Sequence, residues 1–202
     1  MKKVLWLIVC LMTMVLSVNA EEKVSEYTQS YFSMSFDIEA SAPKNNTFTF
    51  FVNCASMENA KNDVCGFMLD SDRVNEFINN LNLIKNKFVE WTNTAKNNNV
   101  VSFSKEFDIN FKSLKAYFKY GRDYHFSKFT FKPYFMVTKD GKCVAVFVSG
   151  KITASDNQFM DYDGICLTFT SANEFDDFIK ALDTKNVLNK AYDNKVKKDL
   201  FK

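Results

Sequence analysis

Residues 65–81, CGFMLDSDRVNEFINNL, decide the fold because they join a strand to a helix. The first six residues place apolar side chains at alternate positions, which is typical of a strand with one buried face. Asp72 is expected to cap a helix over about residues 72–95, where apolar residues recur every three or four positions. The stretch therefore predicts a strand, a tight turn and an amphipathic helix.

The same pattern returns at residues 163–179, DGICLTFTSANEFDDFI, a shift of 163 − 65 = 98 positions. Gly66 then matches Gly164, and the tripeptide that ends at Phe77 matches the one that ends at Phe175. In the second copy the segment after the strand begins with a capping-box pattern from Ser171 to Glu174, so a C-terminal helix is expected from about residue 171. A duplicated unit of three strands and a helix is the simplest interpretation.

Sequence patterns in the rest of the chain indicate the fold class. Alternating apolar residues predict further strands, one of them over residues 100–111, and Asp140-Gly141 is a strong hairpin signal. We expect an α+β fold of predominantly antiparallel sheet, built from two β-β-β-α repeats, with extra strands in the second half and helices packed on one face. The repeats would span residues 21–98 and 99–202 and form one compact domain.

The segment LTFTSANEFDDFI, residues 167–179, resembles the repeat of PUR-type and Whirly-like single-strand-binding proteins. In those proteins a meander of strands is closed by a helix. The resemblance covers about twenty residues in each half and implies a fold rather than nucleic-acid binding. The chain departs from these families in its export signal, its neutral mature charge and its three-strand first half.

Residues 1–20 have the pattern of a secretory signal peptide: two lysines, an apolar stretch and a small residue, Ala20, at the cut. We expect an exported protein, periplasmic or extracellular, without a transmembrane segment in its mature chain; the alternative is an uncleaved membrane anchor. Removing Lys2 and Lys3 leaves 26 − 2 = 24 basic residues against 24 acidic ones. The mature chain is then neutral, and nucleic acid is an improbable partner.

Four cysteines follow the signal, and an even number outside the cytoplasm permits disulfides. Cys54 and Cys65 would face each other across one connection between strands, so this pair is the favoured disulfide. The alternative is that all four are buried thiols that behave as small apolar side chains.

A basic and aromatic stretch at residues 112–139 is the most distinctive local feature. It holds seven basic residues and one acid, a local charge of 7 − 1 = +6. Period-two alternation over an expected strand at residues 128–137 assigns Phe129, Phe131 and Phe135 to the core and Lys128 and Lys132 to the solvent face. The residues that we expect to bind a ligand are Arg122, His125, Lys128, Lys132 and Tyr134. The alternative is that these lysines only protect a sheet edge from pairing with another chain.

No motif of a known catalytic or metal site occurs in the sequence, and no metal and no cofactor are expected. The single histidine excludes a zinc site with several histidines. Carboxylates remain as candidates, because Asp156, Asp161 and Asp163 cluster in one loop and a pair of acids can hydrolyse a glycosidic bond. The alternative is a solvated loop.

These observations favour an exported, non-catalytic binding or interaction module whose partner is a protein, a glycan or another anionic ligand. The alternative is a periplasmic or extracellular carboxylate-dependent hydrolase that acts on glycans. A third possibility is an assembly role, in which open sheet edges join copies of the protein.

Overall fold

A computed structural model of the chain describes residues 21–57 and 64–199, with side chains described as far as residue 194. The predicted signal peptide, residues 1–20, lies outside the described residues. The strands are β1 (Glu22–Gln29), β2 (Met34–Ala40), β3 (Thr49–Asn53), β4 (Ala55–Ser56), β5 (Cys65–Asp70), β6 (Phe103–Glu106), β7 (Leu114–Tyr120), β8 (Asp123–Phe129), β9 (Lys132–Val137), β10 (Cys143–Val148), β11 (Ile152–Thr153), β12 (Asp161–Tyr162) and β13 (Ile165–Phe169). The helices are α1 (Val74–Asn97), α2 (Ala172–Ala181) and α3 (Thr184–Asp199).

The strands form two main antiparallel sheets and a short hairpin. Sheet I has six strands in the order β1-β2-β3-β5-β7-β8, and sheet II has five in the order β4-β13-β10-β9-β6. The hairpin pairs β11 with β12. The α+β class with predominantly antiparallel sheet is therefore correct. Strands β7 and β8 from the second half of the chain complete sheet I, and β4 from the first half joins sheet II.

Aromatic side chains pack the helices against both sheets. On α1, the ring of Phe77 lies 5.6 Å from that of Phe67 in sheet I, and the ring of Phe88 lies 6.0 Å from that of Phe135 in sheet II. On α2, Phe175 stacks on a ring of β13 at 4.1 Å. Phe67, Phe129 and Phe135 are buried as expected, because alternation along each strand turns them towards the core.

The chain crosses between the sheets at two short connections. Cys54 alone separates β3 in sheet I from β4 in sheet II, and two residues separate β8 from β9. Gln29, at the end of β1, is fully buried, and its side-chain oxygen accepts a hydrogen bond from the backbone N–H of Thr168 in sheet II. The sheets are thus joined by the chain and by buried polar groups.

The ends of the helices test the capping predictions. Ser171 caps α2 as expected, because its hydroxyl accepts a hydrogen bond from the backbone N–H of Glu174 at 3.3 Å. Asp72 does not cap α1. The chain is still in a turn there, closed by a bond from the Arg73 N–H to the carbonyl of Asp70, so the helix begins at Val74 without a side-chain cap.

The strand expected over residues 100–111 is wrong for most of its length. Only β6 pairs, at the edge of sheet II, and Phe103 is 46 % exposed. The positive φ of Ser102, 51°, interrupts the extended backbone just before β6. Phe107 and Phe111 are buried, but they reach the core from an irregular segment.

The β9–β10 hairpin forms where Asp140-Gly141 predicted it. Val137 lies opposite Cys143, and Gly141 adopts a φ of +78°, a conformation that a glycine reaches without strain. Within residues 21–57 and 64–199, no helix has the length and apolar character needed to cross a membrane.

Candidate functional site

One continuous row of side chains runs across the outer face of sheet I, the face turned away from the helices. Each member is the direct cross-strand partner of the next. From β1 to β8 the row reads Lys23, Glu39, Phe51, Met68, Lys115 and Lys128. A carboxylate near one edge is thus separated from two lysines at the other edge by an apolar centre.

A second row runs beside the first and supplies aromatic and polar groups. Asn53, Gly66, Tyr117 and Phe126 are direct partners across β3, β5, β7 and β8. The Tyr117 hydroxyl donates a hydrogen bond to the Asn53 side-chain oxygen at 2.9 Å. Burial raises the pKa of Tyr117 well above its usual value, so the hydroxyl keeps its proton.

Gly66 allows Tyr117 to lie flat against the sheet. A Cβ atom at residue 66 would stand 2.5 Å from the Tyr117 hydroxyl oxygen and 2.1 Å from the carbonyl oxygen of Val52. Any larger side chain would lift the ring and distort the strand. The absence of a side chain at Gly66 therefore shapes the centre of the outer face.

The first hollow on this face is acidic and aromatic, and we call it the acidic hollow. It has a volume of about 520 Å³. Its carboxylates are those of Glu21, Asp37 and Glu39, and its aromatic walls include Phe51, Tyr117, Tyr124 and Phe126.

Among the carboxylates of the acidic hollow, Asp37 is paired with a cation, whereas Glu39 is not. Its cross-strand partner Lys23 is bonded to Asp37 at 2.7 Å and to Glu26 at 2.8 Å instead. Partial burial raises the pKa of Glu39, and the negative charges of Glu21 and Asp37 raise it further. Among the described residues no basic side chain forms an ion pair with Glu39.

The second hollow is basic, and we call it the basic hollow. Its volume is about 670 Å³, and it meets the acidic hollow at Phe126, which lines both. Arg73, Lys115 and Lys128 line it together with Asp70 and Asp156. Both acids are already bonded, the first to the Thr49 hydroxyl at 2.7 Å and the second to His125.

Lys115 and Lys128 lie directly opposite each other on β7 and β8. Like charges in this relation destabilise a sheet. Neither lysine forms an ion pair with a carboxylate in the described part of the chain. The Lys115 ammonium lies 4.4 Å from the centre of the Phe126 ring, and a cation–π contact of this kind only partly offsets the repulsion.

The five residues predicted to bind a ligand are divided among several places. Lys128 lies on the outer face of sheet I, in the basic hollow, and Arg122 is exposed in the turn between β7 and β8. His125 points to the opposite face of β8. Lys132 and Tyr134 belong to β9 in sheet II. The chain passes from one sheet to the other after Phe129, so the local basic stretch does not lie in one sheet.

His125 is held by the loop that precedes β12. Its Nδ1 atom lies 3.1 Å from a carboxylate oxygen of Asp156, and its ring lies 5.7 Å from the Phe118 ring. The backbone N–H of Ser155 bonds the carbonyl of Phe126, so this loop also pairs with the edge strand β8. These contacts give His125 a role in docking the loop.

The three loop acids proposed for glycan hydrolysis are all exposed. The hydrogen bond from His125 lowers the pKa of Asp156, and the bond from Lys151, 2.7 Å long, lowers the pKa of Asp161. A general acid requires a raised pKa. These two groups are held as carboxylates, and Asp163 stands beside them on the surface.

The four cysteines at positions 54, 65, 143 and 166 are buried, and no disulfide joins them in the structure. The Cys65 thiol donates a hydrogen bond to the carbonyl of Cys54 at 3.3 Å, and the backbone N–H of Cys54 bonds the carbonyl of Cys65. The two residues therefore face each other across the ladder, as expected. The disulfide between them stays a prediction.

Sequence reasoning missed several residues of this face. Glu39, Phe51, Met68 and Arg73 each fit a strand or helix pattern, and nothing in their own segments marks them as binding residues. Only the register of sheet I places Glu39, Phe51 and Met68 in one row with Lys128. Arg73 reaches the hollow of Lys128 from the start of α1. The alternation of lysine and tyrosine from Lys115 onward was the one local signal.

Comparison of the chain with known protein families, curated proteins and solved structures finds no match. The resemblance to PUR-type and Whirly-like repeats stays a prediction about the fold. Within residues 21–57 and 64–194, no group of three or more histidine, cysteine or acidic side chains could hold a metal ion.

Proposed function

We propose that the protein is an exported, non-catalytic binding module that holds an anionic group of its ligand in the basic hollow. The observation that carries the proposal is the pair of directly opposed lysines, Lys115 and Lys128, without a carboxylate partner among the described residues. An anion placed between two such ammonium groups converts a repulsive contact into two attractive ones.

Arg73 adds geometric selectivity to the same hollow. One of its guanidinium nitrogens donates a hydrogen bond to the carbonyl of Ser113 at 2.8 Å, which fixes the group at the wall of the hollow. Its remaining N–H groups form a planar fork that suits the paired oxygens of a carboxylate, phosphate or sulfate. The expected ligand is therefore one that carries a carboxylate, phosphate or sulfate group.

The test is a titration of the isotope-labelled chain with phosphate, sulfate and acetate, followed by amide chemical shifts. Saturable shifts are expected near Lys115, Ser127 and Lys128. They should be lost in Lys128→Ala and kept in Lys132→Ala, a matched control four residues away in sheet II. Shifts centred on Lys132 and Tyr134, or equal losses in both variants, would overturn the proposal.

Export is the second part of the proposal. The support is the signal-like pattern of residues 1–20 and the absence of a further apolar stretch of that kind in the sequence. Expression of the whole chain in bacteria should yield a product outside the cytoplasm that begins at Glu21. A cell-associated product that begins at Met1 would contradict export.

We also propose that the two halves descend from one duplicated unit. The order β2-β3-β5-α1 in the first half parallels β9-β10-β13-α2 in the second, and in each the three strands are antiparallel neighbours. This order supports the 98-position match between residues 65–81 and 163–179. Homologous chains that keep both glycines and both tripeptides at this spacing would support it further, and chains that keep neither would count against it.

A further inference from the structure

The outer face of sheet I has opposite charges at its two ends and an apolar centre. Glu39 lies on β2, Phe51 and Met68 on the next two strands, and Lys115 and Lys128 on the last two. The two hollows meet at Phe126, so a ligand can occupy both without leaving the face. The charge of the face therefore changes from acidic to basic in the direction perpendicular to the strands.

We propose that the acidic hollow binds the basic side chain of a peptide segment whose acidic side chain lies in the basic hollow. This inference rests on the proposed function, and it adds the second subsite and the class of ligand. The ammonium or guanidinium of the peptide pairs with Glu39. The apolar residues between the two charges lie over Phe51 and Met68.

Glu39 provides the electrostatic reason for a cation. It is a partly buried carboxylate with a raised pKa, and its cross-strand lysine is engaged elsewhere. A ligand cation would supply the missing counter-charge and lower that pKa again. The charged and titratable groups that face Glu39 are Glu21 before β1, Asp37 on its own strand, Lys23 on β1 and Tyr117 on β7.

The aromatic walls provide a second reason, independent of charge. The rings of Phe51 and Tyr117 lie 6.1 Å apart, and those of Tyr117 and Tyr124 lie 6.5 Å apart. Tyr124 is 51 % exposed, and the ammonium of Lys119 lies 5.8 Å from the centre of its ring, so this wall already attracts a cation. Ring faces attract ammonium and guanidinium groups, and they also cover the methylene stem of a lysine or arginine.

Strand spacing sets the length of the peptide. Neighbouring strands are about 4.8 Å apart. From Glu39 to Lys115 is a distance of three strands, about 14 Å, and to Lys128 four strands, about 19 Å. An extended peptide advances about 3.3 Å per residue and turns successive side chains to opposite faces, so the two charged residues of the ligand stand about four or six residues apart.

The experiment uses the acetylated and amidated peptide Lys-Ala-Leu-Ala-Leu-Ala-Glu, whose lysine, leucines and glutamate share one face of an extended chain, with the protein chain that begins at Glu21. Amide shifts are followed at pH 7 up to millimolar peptide. Two companion peptides replace the lysine by norleucine or the glutamate by glutamine. We expect the norleucine peptide to bind about fivefold more weakly, since an exposed ion pair and a cation–π contact are each modest.

Glu39→Gln is the decisive variant, and Glu26→Gln is its matched control. Glu26 is on the same face but is bonded to Lys23 at 2.8 Å, and it does not line the hollow. Glu39→Gln should weaken binding of the lysine peptide about fivefold and leave binding of the norleucine peptide unchanged. Glu26→Gln should change the binding of neither peptide. Equal weakening of both peptides by Glu39→Gln would overturn the inference.

The pKa of Glu39 gives a readout that a merely structural role would not move. Measured by carboxyl chemical shift, it should fall when the lysine peptide binds and stay raised with the norleucine peptide. Cleavage after Ala20 places an α-ammonium on Glu21, at the wall of the same hollow. If that terminal cation already neutralises Glu39, the pKa will not be raised in the free chain and will not move, which overturns the inference.

The two proposals can fail separately. Binding of small anions near Lys128, together with equal affinity for the lysine and norleucine peptides, would retain the anion site and remove the cation subsite. No binding of any of these anions or peptides at millimolar concentration would remove both.

Discussion

The side-chain oxygen of Gln29 accepts two hydrogen bonds from Thr168, one from the backbone N–H at 2.9 Å and one from the hydroxyl at 3.0 Å. Its amide nitrogen donates to the Tyr27 hydroxyl at 3.2 Å. Gln29 and Thr168 belong to different sheets and are both buried. One glutamine therefore satisfies polar groups that water does not reach.

Gln29→Ala should lower the free energy of unfolding by about 1–3 kcal/mol, because the N–H and hydroxyl of Thr168 lose their acceptor in a buried place. Urea denaturation followed by circular dichroism measures this. Gln158→Ala, at an exposed loop position, is the control and should change the stability little. Equal stabilities of the two variants would contradict the role given to Gln29.

Gly66→Ala should destabilise the protein by about 1–3 kcal/mol, because the new methyl group meets both the Val52 carbonyl and the Tyr117 ring. Gly150→Ala is a useful comparison. Its backbone has a φ of +68° but nothing lies within 4 Å of the new methyl group, so it tests backbone strain without a clash. Thermal denaturation should rank Gly66→Ala as the more damaging, and the reverse order would show that the ring and strand can shift.

Lys128→Glu should raise the stability of the fold and abolish anion binding. Opposite Lys115 it replaces a repulsive pair by an attractive one, so stability should rise by about 0.2–1 kcal/mol at low salt. Anion binding should be lost in the same variant. Lys132→Glu, in sheet II, should leave anion binding intact. A destabilised Lys128→Glu protein would show that the two ammonium groups do not repel each other in solution.

Alkaline pH should weaken the fold. Burial raises the pKa of Cys166 to about 12 from 9.0, and burial likewise raises the pKa values of Tyr27 and Tyr117. Groups that hold their protons more tightly in the folded state stabilise it fully below the unfolded pKa. That contribution is lost as pH rises through the folded value. The free energy of unfolding should therefore fall between about pH 9 and pH 12, by about 1.4 kcal/mol per pH unit for each group that differs.

The cysteines should resist alkylation in the native protein. Burial raises the pKa values of Cys54 and Cys166, and the thiolate is the reactive form. Iodoacetamide at pH 8 should label the native chain slowly and the chain in urea fully, as counted by mass spectrometry. Two labels fewer in urea, restored by a reductant, would show one disulfide, and the masses of the unlabelled peptides would show whether it joins Cys54 and Cys65. Rapid native labelling of Cys54 would contradict its burial.

Local patterns were sufficient for much of the fold. The alternation at Cys65, Phe67 and Leu69, the cap at Ser171 and the turn at Asp140-Gly141 each depend on residues close in sequence, and the structure has all of them. The alternation also identified buried phenylalanines such as Phe67, Phe129 and Phe135, whereas Phe103, in the strand expected over residues 100–111, is 46 % exposed. Such features follow from the side-chain directions of strands and from turn chemistry.

Most of the candidate site could not be predicted from the sequence, because the site depends on strand register. Lys115 meets Met68, and Met68 meets Phe51, only through pairings between distant segments. The sequence placed Lys128 and Lys132 on one strand, whereas the chain changes sheets between them. Without knowledge of that crossing, two lysines with different neighbours look equivalent.

The order of strands in sheet I also constrains how the protein is made. Its first strand begins at Glu22 and its last ends at Phe129, with β7 and β8 arriving after the whole of α1. Until Tyr120, the end of β7, has emerged from the ribosome or the export channel, β5 has an unpaired edge that could join another nascent chain. A chaperone that shields this edge during delivery would therefore raise the yield of folded protein, and slow release of the segment from α1 to β8 would lower it.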